Sequence, residues 1–109
     1  MTKSNLKNFT KGWFIGNFKP TLFKTKKFEI AIKKYNKGDK EIKHYHKKAI
    51  EYTIIIKGWV KMNSDIYKTN DIIIIDKKES TDFEALTNVT TCVIKIPCSK
   101  NDKYYESKN

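Results

Sequence analysis

The chain has 109 residues, of which 39% are hydrophobic, and a formal net charge of +11; this bounds it to one domain with one core. All 23 basic residues are lysines, so arginine's bidentate contacts to phosphates and bases are absent, and the even spread of charge reads as a solvated surface rather than a nucleic-acid footprint. No apolar run approaches the ~18 residues of a membrane span, and no secretory leader is legible. Cys92 and Cys98 are too few for a disulfide framework, so a reducing, cytoplasmic setting is expected.

Residues 1–11 are polar and basic and are expected to form a flexible terminus. Trp13-Phe14-Ile15 and Thr21-Leu22-Phe23, separated by Gly16 and Pro20, read as short edge or lead-in strands. Residues 28–35 alternate with the period of a half-buried strand, and Asn36 to Asp39 form a turn around Gly38. The next strand runs from Glu41 to His46. Strict alternation puts Ile42, His44 and His46 on one face and Glu41, Lys43 and Tyr45 on the other. Lys47-Lys48 break the pattern, and a β-branched strand resumes from Glu51 to Lys57.

Gly58 turns the chain into Trp59 to Met62, and Asn63-Ser64-Asp65 predict a hairpin to Ile66-Tyr67-Lys68. The run Ile72 to Ile75 suits a strand covered on both faces. Two more strands are expected over 81–86 and 90–96, ended by Pro97, and residues 101–109 read as a polar tail. No stretch has helical periodicity. Many short, evenly spaced strands imply an all-β sandwich or barrel, and a jelly roll fits the count.

Both histidines of the chain sit in one stretch, His44-Tyr45-His46, with Glu51 five positions later. A His-x-His pair on a strand presents both rings to one side, with Cα atoms roughly 6.5–7 Å apart, within reach of one metal ion. Glu51 is an odd number of positions from His46 and joins that side only if the chain bends at 47–49. Trp13, Phe14, Trp59 and Phe83 read as packing residues for the core or a dimer interface. Cys92 reads as an inert thiol in a strand; Cys98 is more exposed, without a charged partner to tune it.

Gly38, His44, His46, Glu51 and Gly58, at these spacings, resemble the complete first signature motif of the cupin family. The segment from Asn70 to Leu86 is similar in outline to the second motif but departs at its key positions. Asp76 stands where the family has proline, Lys78 where it has glycine, and Thr81 where it has its remaining metal-binding histidine. Asp82 could substitute only through a bulge.

The resemblance covers about residues 28–97 and implies a cupin-type double-stranded β-helix, a jelly-roll barrel, over residues 12–100. It implies a homodimer and a small polar or sugar-like metabolite in the barrel. It also implies a divalent metal (Fe, Mn, Ni, Co or Zn) held by His44, His46 and Glu51, a two-histidine, one-carboxylate set suited to oxygenase or isomerase chemistry. Thr81 and Phe83 would line the pocket, with the Thr81 hydroxyl able to hold a water. Two alternatives stand beside this reading: a metal-free, non-enzymatic binding barrel, and a metal-independent sugar-nucleotide isomerase or epimerase with a histidine base. No catalytic residue is assigned.

Overall fold

The computed structural model describes residues 1–105. The end of the expected tail, residues 106–109, lies outside the described residues. Ten strands form two five-stranded antiparallel sheets. In chain order they are β1 (Trp13–Ile15), β2 (Glu29–Tyr35), β3 (Lys40–His46), β4 (Ile50–Lys57), β5 (Trp59–Met62), β6 (Asp65–Lys68), β7 (Ile72–Ile75), β8 (Thr81–Ala85), β9 (Val89–Ile96) and β10 (Lys103–Tyr105). One sheet has the order β1-β2-β9-β4-β7 and the other β10-β3-β8-β5-β6. The all-β jelly-roll expectation holds.

Short turns set the register. Asn63 and Ser64 both adopt positive φ, 48° and 72°, giving the primed two-residue turn whose twist matches a hairpin; β5 and β6 pair across it, Met62 opposite Asp65. Gly58, between β4 and β5, has φ 103°, and a Cβ there would collide with the Asn88 carbonyl oxygen. Only glycine fits that corner. In the degenerate second motif, Asn70 and Lys78 hold φ 79° and 65°. The left-handed backbone thus survives at Lys78 although the residue is no longer glycine.

Three local expectations need correction. Thr21 to Phe23 is not a strand: it loops back on β1, with the Leu22 N–H donating to the Phe14 carbonyl at 2.8 Å. Ile72 to Ile75 is not covered on both faces, since Ile72 and Ile74 are each 62% exposed. Within the segment read as tail, Lys103–Tyr105 pair with β3, Lys103 opposite His46 and Tyr105 opposite His44. Leu6–Asn8 and Thr10–Gly12 form short 3₁₀ turns ahead of β1.

The core fills one end of the barrel. Ile55, Val60, Met62, Ile75, Phe83, Ala85 and Val89 are buried together, with Tyr35, Tyr67 and Ile73 packed against them. Phe83 and Tyr35 lie with ring centroids 4.5 Å apart, within the range that favours aromatic pairs.

Candidate functional site

Away from this core, the inward positions of β4, β8 and β9 gain polar residues. On β4 they run Ile55, Thr53, Glu51; on β8 Ala85, Phe83, Thr81; on β9 Val89, Thr91, Val93, Lys95. Alternation carries each series to the same end of the barrel. They surround a lumen of about 50 Å³ that also receives Trp13, Lys33, Tyr35, Glu41, His44 and Lys103. That is room for a few waters or a small polar group.

Glu41 enters this lumen against the alternation read from the sequence. On β3, Glu41 sits opposite Phe83 and His44 opposite Thr81, so three steps on β3 face two on β8. That mismatch is a bulge. It brings Glu41 and His44 to the same side and turns Ile42 out, 75% exposed. Once inside, Glu41 accepts a hydrogen bond from the Tyr35 hydroxyl at 3.1 Å, with the Lys33 ammonium 4.0 Å away. Burial and the neighbouring Glu41 carboxylate push the Tyr35 phenol far above its ordinary value, leaving it a permanent donor. Burial lowers the Lys33 ammonium, opposed by Glu41.

His44, His46, Glu51 and Thr81 line one small cavity of about 10 Å³. The break at 47–49 does turn Glu51 inward, and its cause lies in the C-terminal segment. The buried Asp102 carboxylate accepts the backbone N–H groups of Lys47, Lys48 and Ala49 at 3.0–3.1 Å. Three donors left unpaired by the break are satisfied by one side chain.

The side chains are not arranged as a metal donor set. His44 donates from Nδ1 to the Ile42 carbonyl at 2.9 Å, which orients the ring and leaves Nε2 free; the two imidazole centroids are 5.4 Å apart, and Glu51 Oε2 accepts the Thr53 hydroxyl at 2.8 Å. Lys95 sits opposite Glu51 on β9. Among the described residues, no three His, Cys, Asp or Glu side chains come together to hold a metal ion. His44, His46 and Glu51 are the residues that would hold the metal the resemblance implies; as placed they are not gathered around one point, and Thr81 adds no fourth imidazole.

His46 has a different environment. It is 7% exposed, and neither ring nitrogen has a hydrogen-bond partner among the described residues. Burial, reinforced by the Lys95 ammonium, lowers its pKa below the ordinary 6.5, so the imidazole is neutral near pH 7. It borders a cleft of about 430 Å³ with Trp13, Phe18, Lys95, Lys100 and Lys103. Trp13, Lys95 and Lys103 line both this cleft and the lumen. Sequence reasoning missed the cleft because residues 10–19 and 99–103 lie at opposite ends of the chain. The tryptophan taken for packing was the available signal.

Cys98 accepts the Asn17 N–H at 3.2 Å and Cys92 is half-buried; burial raises both thiols, in keeping with inert cysteines.

No family model matches the chain, and no curated protein matches it. Solved structures do. A conserved protein with a double-stranded β-helix domain from Klebsiella pneumoniae superposes with TM-score 0.69 at 14% identity, over 76% of this chain and 74% of that one. A cupin-2 domain protein from Shewanella frigidimarina gives TM-score 0.58 at 13% identity, over 66% and 72%. The bacterial pirin YhhW from Escherichia coli, solved in complex with nickel(II), gives 0.67 at 13% identity, over 81% of this chain and 39% of its own. The fold is the cupin double-stranded β-helix. At these identities the likeness establishes fold and not reaction. No helix among the described residues is long and apolar enough to cross a membrane.

Proposed function

We propose that this chain is a small-molecule-binding cupin that engages its ligand through protein side chains at the open, polar end of the barrel, without a resident metal. The observation that carries this reading is the fate of the motif positions. His44, His46, Glu51 and Thr81 meet at one cavity, yet no three metal-binding side chains are gathered there among the described residues, Thr81 stands where the family's remaining histidine ligand would be, and Glu51 is engaged by Thr53 with Lys95 opposite it. A cleft of about 430 Å³ beside the lumen has the size of a metabolite site.

A thermal-shift screen of sugars and small acids, run with and without chelator, tests it. Ligands that raise Tm equally in both conditions are expected. Ligands whose effect disappears with chelator, or no ligand at all, would overturn it.

The unpartnered nitrogens of His46 favour a second reading, in which the same site is a metal-independent isomerase or epimerase and His46 is the general base. A neutral, desolvated imidazole beside a ligand-sized cleft suits that role. Turnover of a sugar-nucleotide substrate should then fall as pH drops through the His46 titration and vanish in His46→Gln. A flat profile, or activity retained in that variant, would refute it.

The protein is a homodimer in this reading, with the outer face of the β2-β9-β4-β7 sheet as its interface. Cross-strand partners share a face, and the pairs Ile30 with Ile94, Tyr52 with Ile94 and Ile74, and Ile54 with Ile72 and Cys92 make that face almost wholly apolar. Ile56 and Ile96 extend it, 48% and 47% exposed. Contiguous apolar faces of this kind are uncommon on monomers, and a self-complementary patch closes on a second copy.

A further inference from the structure

We infer that the cleft between the N-terminal segment and the Ser99–Lys103 segment is a site for a phosphorylated small molecule, with Lys95, Lys100 and Lys103 holding the phosphate and His46 hydrogen-bonding it. The inference rests on the binding-barrel reading above and gives its ligand a chemical class.

Charge decides for an anion. Four lysines line the cleft, Lys19 being the fourth, against two carboxylates, Glu29 and Asp102. Four ammonium groups against two carboxylates leave the cleft cationic. Asp102 faces the backbone N–H groups of Lys47, Lys48 and Ala49 and not the lysines. No lysine of the cleft forms an ion pair among the described residues. Lys95 Nζ lies 5.1 Å from the Trp13 ring centroid and Lys103 Nζ 5.6 Å from that of Tyr105. These contacts position the ammonium groups and leave N–H donors free.

His46 is the second, independent sign of a ligand. A side chain 7% exposed with both nitrogens unpaired bears the desolvation cost of an unmade hydrogen bond. A neutral imidazole offers one donor and one acceptor, which match a phosphate oxygen and a phosphate or sugar hydroxyl.

The number of cations favours a multiply charged anion. Lysine serves phosphate as a point charge without needing arginine's bidentate fork, and a phosphate's two negative charges engage more than one ammonium at once. Every cation here is lysine. Trp13 and Phe18 supply an apolar wall for the carbon skeleton.

The test is a two-dimensional amide NMR titration of the full chain with inorganic phosphate at constant ionic strength, where non-specific attraction is screened equally throughout. Shifts should concentrate at Trp13, His46, Lys95 and residues 100–103. Lys95→Gln and Lys103→Gln should each weaken binding about tenfold, the loss of one charge-assisted hydrogen bond. Lys61→Gln, which removes the same charge on β5 outside the cleft, should change it less than about twofold. Lys103 and Lys61 are both exposed, so neither variant threatens folding. Shifts scattered over the surface, equal weakening in Lys61→Gln, or no saturable binding would overturn the phosphate site. If the chelator-resistant screen still yields a ligand, the barrel reading survives that result; if it does not, both fall.

Discussion

The two ends of the barrel interior are built on the same strands yet solve opposite problems. At the closed end, Ile55, Val60, Ala85 and Val89 are almost fully buried and need no partner beyond shape. Two to six positions along β4, β8 and β9, Thr53, Thr81, Thr91, Glu51 and Lys95 surround about 50 Å³ of space. Each of those polar groups must find a hydrogen bond or remain costly. Glu41 finds Tyr35 and Glu51 finds Thr53. His46 and the Thr91 hydroxyl find none among the described residues. One end stabilises the fold; the other carries unmet polar groups, the mark of a site whose interactions are completed by something bound.

Substitutions can break this comparison, beginning at the closed end. Ile55→Ala should cost about 2–5 kcal/mol in urea denaturation, through lost burial and an unfilled cavity. Thr53→Val, at the polar end, should change stability far less, because it trades one hydrogen bond for a methyl. Equal losses would deny the division. Asp102→Ala comes next. It leaves three N–H groups at the β3–β4 break unpaired and should cost about 1.5–3 kcal/mol, with faster hydrogen exchange at Lys47, Lys48 and Ala49. Unchanged exchange there would show that Asp102 does not hold the break.

A smaller effect is expected from pH. Because the folded-state pKa of His46 lies below the unfolded value near 6.5, the unfolded chain binds the proton first as pH falls. Stability should be complete above about pH 6.5 and decline below it. His46→Gln should flatten that part of the stability–pH curve, and an unchanged slope would contradict the burial. The smallest change in fold stability belongs to the outer face. Ile74→Lys should shift it by no more than about 0.5 kcal/mol while converting the proposed dimer to monomer in sedimentation. A variant still dimeric would remove the isoleucine face as the interface.

How far these features could be read from residues alone follows their physics. Alternation and glycine-bounded turns are local, so Glu29–Tyr35, the Asn63-Ser64 hairpin and the position of His44-x-His46 were legible. Three features depend on pairing between distant segments and were not. The β3 bulge, which reverses Glu41 and Ile42, is a mismatch with β8 and leaves no trace in β3 itself. The strand Lys103–Tyr105 is short and polar, and it exists because β3 offers it an edge and Asp102 anchors its start. The cleft at Trp13 and Lys103 joins the two ends of the chain. The Thr81 departure was visible at once; its consequence for the donor set required the positions of Thr53, Ile42 and Lys95.

The central claim is that the motif residues serve a binding barrel without a resident metal. Elemental analysis of protein purified without chelator, wild type beside the His44→Ala/His46→Ala double variant, tests it most directly. Negligible and equal metal in both is the predicted result. Close to one metal ion per wild-type chain, lost in the variant, would contradict it.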